Sequence, residues 1–299
     1  MDDRPIGVFD SGFGGLTVAR ALIDLLPHEQ LIYVGDTARY PYGDKPPEQV
    51  RTYSVEIARW LVSQGAKMIV VACNTASALS LECLRSELEV PVVGVIDSGV
   101  RAGLSATRNG RVGVIGTVGT VASGTYQDAF AATGPSTSLR CAACPGFVEF
   151  VERGETESDQ VLILAERLLS PLRAARVDTL VLACTHYPFL ARTIGDVMGR
   201  DVVLVSPAEE TAFEVRSLLS STGLAGDAPA PPEGREHRWY SSGDSEAFAT
   251  LGRRLFGQAL ASVSPVRWET AEPASDSVSL APLHGTGGTV RVPVGSVSG

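Results

Sequence analysis

Val70-Val71-Ala72-Cys73-Asn74-Thr75 and Val181-Leu182-Ala183-Cys184-Thr185-His186 are two versions of one pattern. Each is a short apolar run that closes on a cysteine and passes into residues suited to starting a helix. A short, wholly apolar run reads as a strand buried on both faces, the kind found in parallel sheets under helices. Outward from these runs the same doubling continues. Ile6-Gly7-Val8-Phe9-Asp10 resembles Val112-Gly113-Val114-Ile115-Gly116, and Val92-Val93-Gly94-Val95 resembles Val202-Val203-Leu204-Val205. The three pairs keep their order at an offset of roughly 110 residues, too long and too few for a solenoid.

The runs Ile6–Phe9, Leu31–Val34, Lys67–Ala72, Pro91–Ile96, Val112–Ile115, Thr179–Ala183 and Val202–Val205 are expected as strands. Leu16–Leu26, Pro47–Gln64, Ala76–Leu88 and Asp159–Ala174 carry apolar residues at helical spacing. The expectation is an α/β fold of two pseudo-symmetric halves, each a mainly parallel sheet with helices on both faces. A helix over Ala208–Ser221, a Pro/Gly-rich loop over Gly226–Gly234, a strand over Arg238–Ser241 and a helix over Asp244–Ala261 would complete the first half. The first domain is therefore expected at 1–97 plus 207–268 and the second at 98–206. From Glu269 the chain turns to Ser, Gly, Pro, Thr and Val, a composition that buries little, so 269–299 is expected as a flexible tail. Thr289–Val294 is the one run there that also reads as a strand.

The chain has 299 residues, 44% of them hydrophobic and 20% charged, and a net charge of −9. An acidic chain without a basic stripe argues against nucleic acid as the main substrate. No apolar run approaches a membrane span, and Met1-Asp2-Asp3-Arg4-Pro5 has neither the basic start nor the apolar core of a signal peptide, so a cytoplasmic location is expected. Five cysteines, an odd number, argue against a disulfide framework.

Cys73 and Cys184 are expected at strand ends facing helix N-termini, a setting that favours thiolate and lowers the thiol pKa. One buried cysteine is ordinary core filler; two at duplicated positions with polar neighbours read as functional. His186, two residues from Cys184, can tune a thiol or donate a proton. His28, His237 and His284 are expected in solvent. Cys141-Ala142-Ala143-Cys144 lacks the second pair that a zinc site needs.

Asp10-Ser11-Gly12-Phe13-Gly14-Gly15-Leu16-Thr17 follows the first strand and opens a helix. A dinucleotide fold could use Gly12 and Gly14, with Asp36 as the ribose acid. Against this, Thr17 stands at the third glycine position, and Asp10 would face a pyrophosphate. Asp10 suits an ammonium group and the following N–H groups suit a carboxylate, so an amino acid fits better.

Five motifs in order carry a specific resemblance: Gly7-Val8-Phe9-Asp10-Ser11-Gly12-Phe13-Gly14-Gly15-Leu16-Thr17-Val18, Gly35-Asp36-Thr37-Ala38-Arg39-Tyr40-Pro41-Tyr42-Gly43, Ala72-Cys73-Asn74-Thr75-Ala76, Val151-Glu152-Arg153-Gly154, and Ala183-Cys184-Thr185-His186-Tyr187-Pro188. The chain resembles the cofactor-independent aspartate/glutamate racemase family, on its glutamate side. The resemblance implies two pseudo-symmetric domains with the active site in the cleft between them. It implies interconversion of L- and D-glutamate without a cofactor, supplying D-glutamate for peptidoglycan. Cys73 and Cys184 would be the two acid/base residues, assisted by Asp10 and His186, with Glu152 close by. Substrate contacts would come from Asp10, Ser11, Pro41, Tyr42, Gly43, Asn74, Thr75, Thr185 and His186. The resemblance also implies a homodimer, and some family members bind DNA gyrase.

The chemistry of the residues agrees. Inverting a stereocentre takes a proton from one face and returns one to the other, which two groups on opposite walls can do. A pyridoxal cofactor would need a Schiff-base lysine. The chain has two lysines: Lys45 adjoins Pro46-Pro47 and Lys67 opens a strand, and neither sits at a convincing site. A related enzyme acting on aspartate, hydantoins or maleate, or a binding protein with an inactive site, are the other readings of the same residues.

Overall fold

In a computed structural model, residues 2–226, 237–256, 260 and 262–268 are described. The strands are β1 (Ile6–Asp10), β2 (Leu31–Gly35), β3 (Met68–Val71), β4 (Val92–Gly94), β5 (Arg111–Gly116), β6 (Ser138–Ala143), β7 (Thr179–Ala183), β8 (Val203–Val205), β9 (Arg238–Ser241) and β10 (Ser264–Pro265). The helices of the first part are α1 (Leu16–Leu25), α2 (Pro47–Ser63), α3 (Asn74–Glu87) and α4 (Ile96–Ala106). They are followed by α5 (Val118–Ala122), α6 (Thr125–Thr133), α7 (Phe147–Arg153) and α8 (Asp159–Ala174), then a 3-10 turn over Tyr187–Leu190, α9 (Ala191–Met198), α10 (Ala208–Thr222) and α11 (Ser245–Phe256).

The strands form two sheets, ordered β10-β9-β2-β1-β3-β4 and β6-β5-β7-β8, and every recorded strand pairing is parallel. The repeat seen in the sequence is thereby reproduced in topology. β2-β1-β3-β4 and β6-β5-β7-β8 are the same order in two copies, and the first sheet adds β9 and β10 beyond β2. In both copies chain order reverses at the central strand, between β1 and β3 and between β5 and β7. In open α/β sheets a ligand binds at such a switch point, outside the carboxyl ends of the strands. Phe9 pairs with Val71 and Gly116 with Ala183, so Asp10, Cys73 and Cys184 all emerge at those ends.

The central strands are apolar without alternation because both faces are covered. Met68, Val70 and Ala72 of the β3 run face one buried cluster and Ile69, Val71 and Cys73 face another. The first of these clusters also takes in Leu180 and Leu182 of β7, so the two sheets share apolar packing. The chain up to Trp268 packs as one unit. Among the described residues no helix is long and apolar enough to cross a membrane.

Several sequence expectations are corrected at element ends. The run Pro91–Ile96 is a strand only over Val92–Gly94, because Val95 turns to helical dihedrals and Ile96 opens α4. The helix expected from Ala76 begins at Asn74, with Cys73 itself as its N-cap. α11 is described over Ser245–Phe256; 257–259 and 261 of the expected helix lie outside the described residues. His237 is not in solvent: its Nδ1 accepts from Leu31 N at 3.2 Å, and burial holds its pKa below the usual histidine range. The expected tail over 269–299 and most of the Gly226–Gly234 loop lie outside the described residues.

Candidate active site

A cavity opens where the carboxyl ends of the two sheets face each other. Ser11, Pro41, Tyr42, Gly43, Cys73, Asn74, Thr75, Cys184, Thr185 and His186 all line it. The loop after β1, the loop after β2 and the β3–α3 turn supply one side, and the turn after β7 supplies the other.

The two cysteines sit in similar local settings for a simple reason. Cys73 lies two residues past β3 and Cys184 directly after β7, in each case where the chain must turn into a helix whose first N–H groups have no partner within the helix. Cys73 Sγ accepts from Ala76 N at 3.4 Å and lies 3.7 Å from Ser11 Oγ. Cys184 meets the N–H groups of His186 and Tyr187 at the 3-10 turn. The expected lowering of the thiol pKa does not follow, however. Burial dominates and pushes Cys73 up to about 12, with the Asp10 carboxylate adding to the rise and the Ala76 N–H and Ser11 opposing it. Cys184 is raised by the same cause, opposed by the His186 N–H and lifted further by Cys73 and Asp10. The helix N-termini are in place, but withdrawal of the sulfurs from water outweighs them.

Asp10 is not in the cavity wall. As the last residue of a central strand it is covered by its own following loop and is fully buried. Gly12 N donates to its Oδ2 at 2.9 Å and Thr185 Oγ1 to its Oδ1 at 3.3 Å. Burial raises its pKa against the pull of His186, the Gly12 and Gly15 N–H groups and Thr185. Its link to the cavity wall is the bond from Thr185. Glu152, on α7, stands behind the wall too, its Oε1 3.4 Å from His186 Nε2. Gly14 explains the glycine run without any phosphate: a Cβ there would lie 2.5 Å from Thr185 Oγ1 and 2.6 Å from His186 Nδ1. Only glycine lets the β1 loop approach the β7 turn so closely.

Asp36, weighed as a ribose acid, is a buried tie point instead. It accepts from Arg39 Nε at 2.8 Å, Ser242 Oγ at 2.6 Å, Trp268 Nε1 at 2.7 Å and from the Tyr42 hydroxyl. It thereby fixes the loop that carries Tyr42 and Gly43 into the wall. Lys67 is buried just before β3, at the amino ends of the strands and away from the cavity, paired with Glu29 at 2.6 Å.

The Asp/Glu/Hydantoin racemase family model matches residues 14–214. The chain belongs to the Asp/Glu/hydantoin racemase family. Among its relatives, the glutamate racemase of Acidothermus cellulolyticus is 53% identical over 264 residues, 88% of this chain and 99% of the relative. The structure of a glutamate racemase from Bacillus anthracis superposes with a TM-score of 0.84 at 37% identity, covering 90% of this chain and 99% of that one. A glutamate racemase of Francisella tularensis, solved with D-glutamate, gives a TM-score of 0.81 at 33% identity, covering 89% and 98%.

The racemase cavity also has walls that sequence reasoning passed over. Tyr40, Thr117, Cys144 and Glu149 line it. Tyr40 lies inside a quoted motif, so the motif was the clue to it. Thr117 follows Gly116 as Ser11 follows Asp10, so the repeat in the sequence was the signal for it. Its hydroxyl meets that of Thr75 at 3.0 Å and that of Thr120 at 3.0 Å, while Thr75 also meets Thr120 at 3.1 Å. Asn74 Oδ1 accepts from the Tyr126 hydroxyl of α6 at 2.8 Å. These bonds and Gly119 N to Gly43 O at 2.8 Å knit the walls from the two sheets together over the cavity.

Proposed function

We propose that the protein interconverts L- and D-glutamate by proton transfer between Cys73 and Cys184. The observation that carries the reading is the placement of two thiols at equivalent strand ends, both opening into one cavity. Relatives half-identical to the chain, named glutamate racemases, support the choice of substrate.

One sulfur, as thiolate, takes the α-hydrogen: the Cα–H bond breaks and an S–H bond forms. The other sulfur gives its proton to the opposite face of Cα and becomes the thiolate, so the charge and proton count are conserved. Burial favours both thiols protonated, and the ammonium of a bound amino acid supplies the positive charge that offsets one thiolate. The first N–H groups of α3, ahead of the Ala76 N–H that Cys73 takes, suit a substrate carboxylate. His186, boxed beside Cys184 and bonded to Glu152, is the proton route on that side, and Asp10 orients Thr185 and biases His186.

The proposal extends to organisation. The first half is assigned 1–97 plus 207–268 and the second 98–206, supported by the duplicated strand order. A cytoplasmic homodimer feeding peptidoglycan synthesis is the setting, with DNA gyrase a candidate partner through family resemblance alone; sedimentation tests the dimer. The central test incubates purified full-length protein with L-glutamate and no added cofactor while circular dichroism is followed. Decay of the signal to zero is expected, with Cys73→Ala and Cys184→Ala each inactive. A signal that does not decay contradicts the reading.

A further inference from the structure

Tyr40 follows Arg39 on the loop after β2 and forms part of the cavity wall. Its ring stands 5.8 Å from the His186 imidazole with the planes at 33°, and Phe13 meets the same imidazole edge-on at 4.7 Å. The imidazole is therefore held between two aromatic rings. Gly12 makes room for the Tyr40 ring, since a Cβ there would lie 3.1 Å from Cδ2. The Tyr40 hydroxyl is buried and has no well-aligned hydrogen-bond partner among the described residues. The ionisable groups that face it are Glu152 and Glu149 of α7 and Cys184 at the end of β7. Glu152 is also the carboxylate that meets His186 Nε2. A buried hydroxyl beside a carboxylate is costly unless it donates to it.

We propose that Tyr40 is a positioning residue for the proton transfers at Cys184, its ring setting the plane of His186 and its hydroxyl donating to Glu152 when that carboxylate anchors the imidazole. Glu152 held this way keeps the proton of His186 on Nε2. The other nitrogen, Nδ1, then stays on the side of Gly14 and Thr185. Cys73 has Ser11, Tyr33 and Tyr42 near it, but the two tyrosine hydroxyls are already committed, to Gly12 O and to Asp36, and neither is aimed at the carboxylate that meets His186. The proposal rests on the two-thiol reading above and predicts an effect on one thiol only.

The experiment uses the full chain with Tyr40→Phe, Glu152→Gln and the double substitution. It measures kcat/KM in both directions and the primary isotope effects with glutamate deuterated at Cα. Tyr40→Phe should lower kcat/KM by about ten-fold, the worth of one hydrogen bond to a charged group. The loss must be equal in both directions, because the enantiomers are equally stable. The isotope effect should rise for the enantiomer deprotonated by Cys184 and fall for the other. Glu152→Gln should show the same one-sided pattern, and the double variant should be no slower than Glu152→Gln alone. Losses that multiply, or isotope effects that change equally for both enantiomers, overturn the proposal while leaving the racemase reading intact. A wild-type protein that does not racemise glutamate overturns the functional reading itself.

Discussion

Thr185 donates its hydroxyl to Asp10 across 3.3 Å, tying the turn after β7 to the end of β1. The contact joins the two strand ends on which the proposed chemistry stands. It also explains how a carboxylate with no exposure can act on the cavity: Asp10 reaches it through the residue next to Cys184.

Asp10 is held ionisable in a site that disfavours its charge, so Asp10→Asn should stabilise the protein while disabling it. Its folded pKa is raised above the unfolded value. The wild type therefore loses stability relative to the amide as pH rises above the unfolded carboxylate range near 4. The melting-temperature gap between variant and wild type should be small at pH 4 and wider at pH 7. Racemisation should fall by about a hundred-fold, equally in both directions, as for loss of a group assisting proton transfer. A gap that stays constant with pH would refute the burial argument.

Cys73 makes the complementary prediction at alkaline pH. Its folded pKa of about 12 exceeds that of an unfolded thiol, so the protonated thiol contributes stability that is complete below pH 8 and lost as pH approaches 12. Urea unfolding of wild type and Cys73→Ala should show their difference shrinking between pH 9 and 11. An unchanged difference would mean that the sulfur is not withdrawn from water.

The buried, unalternating strands were legible because nothing but a covered parallel sheet makes such runs stable. Thr179–Ala183, Arg238–Ser241 and Asp159–Ala174 are found with the expected bounds. β6 was not, because Ser138–Ala143 is a half-exposed edge strand with one branched aliphatic residue, Leu139. α5 and α7 are too short for a helical period to show. At the site, the pair of cysteines followed from the repeat alone. Their raised pKa did not, because burial is a property of the closed cavity and the helix N-terminus is a property of the local chain. The burial of Asp10 was missed for a related reason: a strand-end carboxylate looks exposed in sequence until its own loop is seen to cover it.

Asp36 and Trp268 test the scaffold behind the wall. Asp36 carries four hydrogen bonds and pairs with Arg39, both nearly excluded from water. Asp36→Ala should cost about 3–5 kcal/mol, as for a broken buried pair. Trp268→Ala should cost a similar amount, about 3–5 kcal/mol, by removing a buried indole packed near Trp60 and Arg39. Removal of the chain after Trp268 should change stability by no more than about 0.5 kcal/mol. Denaturant titration of the three variants gives the comparison. A truncation as costly as Trp268→Ala would show that the last segment packs on the body.

Two thiols on opposite walls can be told from any single base by where solvent hydrogen enters. Each thiol carries one proton, so the sulfur that takes the α-hydrogen holds that isotope, while the opposite sulfur brings one from solvent. L-glutamate reacted in D2O and stopped early should give D-glutamate deuterated at Cα, with almost no deuterium in the recovered L-glutamate. Proton NMR of the separated enantiomers reads both. Substantial early deuterium in the recovered L-glutamate would contradict the two-cysteine account, because one base exchanging with solvent would then serve both faces.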